Sequence, residues 1–328
     1  MAVNLRSGTA THNPRLRALG PRDDRGSDAG QTFRLQLKLQ MAAEYLNISY
    51  APDEPTNKLL QFDIYWPGSA HADPSRRVDA LVCFVHGGAW RAEDKADHAD
   101  LARNLAAHIG LCVAVPNYRL TSTNPTSQNY HLAHPAHAED LLRFLTFIRA
   151  WQGPEEMKDQ FVPRQMYLIG HSCSAHMLAS IFLDSSTTTP SLTPPPQVYD
   201  AVQAVIMSEG IYDIDLLLSV FPTYRQWFIE DTFGQRPTFE DVDVTGYPLR
   251  SDTHIHWLVL HSTGDTLVDV QQTEKMYRHL CSLHGVAGID PLLRVGMDAD
   301  RLNGDHNDIL RGSEYVAIIG EYVKKVRS

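Results

Sequence analysis

The chain has 328 residues, is 43% hydrophobic and carries a formal net charge of −10. That length allows one large α/β domain or two small ones with a full core, and the acidic balance argues against nucleic-acid binding and against a basic membrane-binding patch. Four dispersed cysteines, none at metal-ligand spacing, exclude a disulfide scaffold and suit a reducing, cytoplasmic setting.

No apolar run approaches the roughly 20 residues of a membrane span. Residues 1–40 read as a disordered tail. The first 22 hold four arginines and no acidic residue, then Asp23, Asp24 and Asp28 follow, and the apolar face of a transit peptide is thin. Residues 41–328 read as a single catalytic domain. Within it, residues 59–66 alternate Leu60, Phe62, Ile64 and Trp66 with polar positions, the pattern of a strand. Val78–Val85 is more uniformly apolar, with Asp79 its one polar position, as expected deep in a sheet, and runs straight into His86-Gly87-Gly88-Ala89-Trp90.

Residues 94–109 follow as a helix, 111–115 as a buried strand, 121–130 as a polar loop and 135–151 as a second helix. A short apolar strand at 166–169 leads through Gly170 into a helix over 174–183. The Ser/Thr/Pro run 184–196 reads as an exposed, flexible connection. Residues 201–207 resume the strand pattern. Residues 214–250 are aromatic-rich with mixed periodicity and read as a helical, lid-like insertion. A strand at 257–261, a helix at 271–283, a strand at 292–295 and a closing helix at 313–326 complete the chain. This alternation implies an α/β fold whose mostly parallel sheet is covered by helices on both faces.

Three stretches carry chemistry. In Gly170-His171-Ser172-Cys173-Ser174, strand, sharp turn and helix have the layout of a nucleophile elbow, with Ser172 as nucleophile. Ser174 stands where that motif ordinarily has a second glycine. If it crowds the turn, Ser174→Gly should keep or raise activity. Gly87 and/or Gly88, with the N–H of Cys173, would supply an oxyanion hole. Asp265, leaving the strand at 257–261, is the preferred carboxylate to orient a catalytic imidazole. Its rival Asp269 is better described as a helix cap. His306 is the base, because the order Ser, Asp, His leaves only His279, His284 and His306, and the first two fall in or beside a helical pattern. Asp305, His306 and Asp308 are weighed as a cation site and set aside for lack of a second ligand cluster. No metal and no cofactor is expected. His171 and Cys173 are expected to pack beside Ser172 rather than react.

The motifs His86-Gly87-Gly88-Ala89-Trp90, Asn117-Tyr118-Arg119-Leu120, Gly170-His171-Ser172-Cys173-x-Ala175-His176 and His261-Ser262-x-x-Asp265-x-Leu267 resemble those of kynurenine formamidases of the α/β-hydrolase superfamily, notably the fungal ones. Gln272-Thr273 and His306-Asn307-Asp308 extend the match, which runs from about residue 60 to the C-terminus. The resemblance implies hydrolysis of N-formyl-L-kynurenine to L-kynurenine and formate, in tryptophan degradation, through a formyl-enzyme. Trp90, close after the oxyanion loop, is a candidate for the aromatic substrate pocket or for the core. A small-ester carboxylesterase or lipase-like hydrolase is the alternative, and a non-catalytic ligand-binding homologue is the alternative outside enzymes. The expected partner is a small-molecule substrate, without nucleic acid or membrane. A homodimer is left open.

Overall fold

The apolar runs become strands that share one sheet. The computed structural model describes residues 44–67, 77–122, 132–155, 161–250 and 254–328, and the tail expected over residues 1–40 lies outside them. The strands are β1 (Glu44–Ser49), β2 (Gln61–Tyr65), β3 (Val78–Val85), β4 (Cys112–Pro116), β5 (Phe161–His171), β6 (Val202–Ser208), β7 (His256–Ser262) and β8 (Val295–Leu302). They lie in the order β1-β2-β4-β3-β5-β6-β7-β8. β1 and β2 are antiparallel, as are β2 and β4, and every other neighbouring pair is parallel. This is the α/β-hydrolase fold.

Both faces of the sheet are buried, which explains why its central strands read as unbroken apolar runs. Successive side chains point to opposite faces. Leu81, Cys83 and Val85 of β3 join one core with Phe62, Phe144 and Met177. Ala80, Val82 and Phe84 join the other with Leu105, Ile206 and Ile319. The helices between strands supply the covering layers: α1 (Ala99–Ile109), α2 (Ala136–Ala150), α3 (Cys173–Phe182), α4 (Ile214–Val220), α5 (Val270–Val286) and α6 (Ser313–Arg327). All ten residues of α3 are buried, and its polar members Ser174, His176 and Ser180 each bond a backbone carbonyl. Among the described residues, no helix is long and apolar enough to cross a membrane.

Several boundaries differ from the sequence reading, each for a local reason. The helix expected over 94–109 begins as a 3-10 turn, Lys95–His98, under a capping box in which Asp94 and Asp97 cap each other's backbone. The strand expected over 292–295 is instead a 3-10 turn, Pro291–Leu293, capped by the Asp290 side chain. β8 then runs on to Leu302 through Asp298, Asp300 and Arg301. Those charges, normal on an edge strand, hide it in the sequence. The run expected to be an exposed connection over 184–196 has exposed positions, among them Ser186, Thr187 and Thr188, but is pinned at intervals: Ser185 and Leu192 are buried, and the Asp184 N–H donates to Pro248 O at 2.8 Å. Residues 214–250 form a helical insertion between β6 and β7, built from α4, a π-helical turn at Arg225–Ile229 and short turns beyond it.

Candidate active site

Strand register sets the position of the site. Val85 pairs with Gly170, His171 with Ser208, and Ser208 with Leu260. β3, β5, β6 and β7 therefore end at one edge, and the loops leaving them converge there.

Ser172 occupies the turn between β5 and α3 with φ 57° and ψ −122°, a conformation costly for a residue with a Cβ. Neighbours over-determine it. Its N–H donates to Ser208 O at 2.9 Å, and its carbonyl accepts from Ala175 N–H at 3.1 Å and Ile211 N–H at 3.3 Å. Gly170 is required for the close approach, because a Cβ there would lie 2.8 Å from both Leu178 Cδ1 and Ser174 O. The hydroxyl-bearing residue is thus pushed out at the sheet edge and held.

Gly87 faces Ser172: a Cβ added at Gly87 would lie 3.1 Å from Ser172 Cβ. The carbonyls of this loop are anchored on the opposite side. Tyr118 O–H donates to Gly87 O at 2.6 Å and approaches His86 O at 3.2 Å, and the Ser174 hydroxyl donates to His86 O. In trans peptides the N–H points away from the preceding carbonyl, so the N–H groups of Gly87 and Gly88 are turned away from Tyr118. Ser174 is therefore a tether for the loop rather than a bulky substitute for glycine. Beyond it, Gly88, Ala89 and Trp90 all have positive φ, a strained run fastened by Trp90 N–H to Cys173 Sγ at 3.3 Å and by Thr121 N–H to Trp90 O at 2.8 Å. Asn117 and Arg119, beside Tyr118, brace the same region. The Asn117 side chain bonds Lys95 N–H and Asp94, and Arg119 grips Asp140 with two N–H groups.

The structure brings Asp265 and His306 together. Asp265 Oδ2 accepts from His306 Nδ1 at 2.7 Å. Its Oδ1 accepts from the N–H groups of Leu267 at 2.8 Å and Val268 at 3.1 Å. Burial alone would raise Asp265, but the hydrogen bonds from His306, Glu209 and the Leu267 N–H outweigh it and hold the carboxyl well below the usual range. With Nδ1 committed to Asp265, the Nε2 of His306 remains as the basic nitrogen. The two loops are also tied by Thr266 Oγ1 donating to Asp305 Oδ1 at 2.9 Å. Asp269, the rival carboxylate, caps α5 by accepting from Gln271 N–H at 3.0 Å. His279 bonds Tyr247 O and His284 bonds Leu280 O, so neither approaches Asp265.

His171 and Cys173 are held in unreactive forms. Burial, then the neighbouring His306, pushes His171 down to about 3, and burial pushes the Cys173 thiol up to about 12. Trp90 is fully buried, its indole packed on Phe233, His176 and Phe228 at 5.1, 5.7 and 6.1 Å between ring centres. It backs the insertion from beneath.

One member of the cluster has no counterpart in the motifs read from sequence. Glu209, directly after β6, is fully buried beside Asp265. Its only sequence signal is an acidic residue between a buried strand and Gly210. Glu209, Asp265 and His306 each bring one ligand atom within 4.8 Å of the others, a spacing open to a cation. The imidazole nitrogen involved in the Asp265 contact is hydrogen-bonded, however, which suits a proton network better than a ligand set. The trio weighed from sequence, Asp305, His306 and Asp308, is not the group that gathers.

The BD-FAE family model matches residues 62–280. The chain belongs to the BD-FAE family. The matched span reaches from β2 through most of α5 and includes Ser172 and Asp265. Among its relatives, the chain is 28% identical over 201 residues to the kynurenine formamidase of Meyerozyma guilliermondii, covering 60% of this chain and 69% of that protein. It is 26% identical over 258 residues to a kynurenine formamidase-like hydrolase of Fusarium equiseti, covering 71% and 80%. Esterase B of Lactobacillus rhamnosis superposes with a TM-score of 0.64 at 13% identity, over 92% of this chain and 94% of that one. This BD-FAE chain thus has the architecture of α/β-hydrolase esterases and its closer sequence likeness to fungal kynurenine formamidases.

Proposed function

We propose that this chain is a serine hydrolase that cleaves N-formyl-L-kynurenine to L-kynurenine and formate. The observation that carries the reading is the 2.7 Å contact between Asp265 Oδ2 and His306 Nδ1, at the same sheet edge as the strained Ser172 turn. In this reading Asp265 fixes the imidazole tautomer, and His306 Nε2 takes the Ser172 proton as Oγ attacks the formyl carbon. The N–H groups of Gly87, Gly88 and Cys173 hold the oxyanion. His306 then gives the proton to the departing aniline nitrogen, the C–N bond breaks, and L-kynurenine leaves. Water, deprotonated by His306, attacks the formyl-enzyme and releases formate.

The formamide is favoured over an ester by the relatives of Meyerozyma guilliermondii and Fusarium equiseti. The insertion between β6 and β7 supports an aromatic substrate. Phe221 stacks on Tyr224, and Tyr224, Trp227 and Phe228 follow edge to face; Tyr224 O–H reaches Leu267 O, beside Asp265, at 3.2 Å. This insertion is the lid, and Trp90 supports its aromatic wall from behind. The reaction belongs to cytoplasmic tryptophan degradation.

The test is turnover of N-formyl-L-kynurenine by the purified protein, beside a p-nitrophenyl ester and the Ser172→Ala variant. Turnover that strongly favours the formamide and falls by about a thousandfold or more in Ser172→Ala is expected. Ester turnover alone would move the activity to a general esterase. Activity retained in Ser172→Ala would remove Ser172 from the mechanism.

A further inference from the structure

Glu209 is the buried acid that the mechanism above does not use, and its surroundings are not those of a structural ion pair. It is fully buried and sits at φ 51°, a left-handed conformation that a glutamate adopts only at a cost. Its backbone N–H donates to Leu260 O at 3.1 Å, which locks it against β7. Among the described residues, no lysine or arginine pairs with it. Two imidazoles face it: His306, with a ring nitrogen within 4.8 Å and its Nδ1 committed to Asp265, and His261, whose Nδ1 lies 3.2 Å from Glu209 Oε2 without the alignment of a hydrogen bond. The His261 nitrogen is also 3.2 Å from Thr273 Oγ1, whose hydroxyl it can accept.

Two carboxyl groups packed together in a dry site cannot both be charged. The count of donors decides which one carries the charge. Asp265 receives three: His306 Nδ1, Leu267 N–H and Val268 N–H. Glu209 receives one, from Ser262 N–H to Oε1 at 2.8 Å, and its Oε2 has no donor. The negative charge belongs on Asp265 and the proton on Glu209. Burial and the contact with Asp265 act in the same direction, pushing the Glu209 carboxyl far above the usual range.

We propose that Glu209 is a positioning residue that stays neutral, donates a hydrogen bond from its carboxyl O–H to Asp265, and so keeps Asp265 as the carboxylate that orients His306. The inference rests on the serine-hydrolase reading for its effect on rate, but not for the protonation state. The titratable groups facing Glu209 are Asp265 from the loop after β7, His306 from the loop after β8, His261 from β7, Tyr212 from the segment after β6 and Tyr315 from α6.

Two measurements on the full chain test it, with Glu209→Gln and Glu209→Ala. The first is the infrared difference between wild type and Glu209→Gln at neutral pH. A carbonyl stretch of a protonated carboxylic acid, present in wild type and lost in the variant, is expected; a carboxylate band lost in its place would overturn the proposal. The second is the rate of Ser172 labelling by a fluorophosphonate across pH. Glu209→Ala removes the donor, so Asp265 becomes a stronger base and holds the imidazolium more tightly. Labelling should slow by about 10- to 100-fold, and its acid limb should move to higher pH. Glu209→Gln keeps a neutral donor and should recover most of that loss with the limb in place. A limb that moves to lower pH in Glu209→Gln is the signature of a lost negative charge and would overturn the proposal. So would a folded Glu209→Ala that is labelled like wild type, because a merely structural role lowers stability without moving the limb. If Glu209→Ala does not fold, the Gln variant and the infrared band still decide. A wild-type protein that is not labelled at Ser172 would overturn the hydrolase reading and the positioning role together. Failure of the Glu209 proposal alone leaves wild-type labelling intact.

Discussion

The His171 ring ties the Ser172 turn to the loop that carries His306, because its Nε2–H donates to Asn307 Oδ1 at 3.1 Å. Its other nitrogen, Nδ1, lies 3.2 Å from Ser208 Oγ, which is in turn 2.9 Å from Tyr315 O–H. A neutral imidazole accepts at one nitrogen and donates at the other, and burial keeps this one neutral. The residue before Ser172 therefore grips the residue after His306, and the two rings lie 4.8 Å apart. Removing the grip should cost orientation rather than binding. Asn307→Ala is expected to lower kcat by about tenfold with KM nearly unchanged, read in steady-state kinetics. An unchanged kcat would show that Asp265 alone holds the imidazole in place.

Ser174 is the departure from the ordinary elbow, and its hydroxyl donates to His86 O. Removing it leaves a buried carbonyl dependent on a Tyr118 hydroxyl that also serves Gly87 O. A buried acceptor left short of a donor costs about 1–3 kcal/mol. Both Ser174→Ala and Ser174→Gly are expected to lower the melting temperature and to reduce kcat, because the Gly87 peptide loses a fixed position. Calorimetry and turnover on the same samples check this. Wild-type kcat in Ser174→Gly would return Ser174 to the role of a crowding residue.

How much of this was legible in the sequence depends on how each segment is solvated. β3 matches its expected bounds, Val78–Val85, because both its faces are buried from Ala80 onward and those six positions are all apolar. β8 was misplaced because an edge strand tolerates Asp298, Asp300 and Arg301. β1, with four of its six residues partly exposed and the other two fully so, has no pattern to read. Ser172, Asp265 and His306 stand in motifs whose chain order is informative, and the contact between the last two follows from that order. Glu209 has no motif, since its meaning comes from the packing of β6 against β7. The role of Ser174 was hidden for the same reason: its acceptor lies 88 residues away in sequence.

Buried histidines should set the response to acid. His86 and His176 are pushed down to about 4, and His137 and His171 to about 3, by burial in each case first. Each stays neutral in the folded chain and takes up a proton on unfolding below about pH 6.5. Their contribution to stability is complete above that pH and is lost as pH falls toward the folded values. Each adds up to about 1.4 kcal/mol per pH unit to the slope. Urea unfolding between pH 7 and pH 4 is expected to show steeply falling stability with net uptake of several protons. A flat profile would mean that these rings are solvated or paired in the native state.

Glu209 should act on stability with the opposite sign. Its folded carboxyl is raised by burial and by Asp265, so the unfolded chain gives up that proton near the ordinary glutamate range, about 4.3, while the folded chain keeps it. Stability from this group is complete below that range and is lost as pH rises toward the folded value. Glutamine does not titrate. The stability of Glu209→Gln relative to wild type is therefore expected to grow from pH 5 to pH 8, by no more than about 1.4 kcal/mol per unit. Chemical denaturation of both proteins across that range measures it. A difference that stays constant with pH would mean that Glu209 is already ionised in the folded chain, and the charge would then have to be shared with Asp265 through a donor other than Glu209 itself.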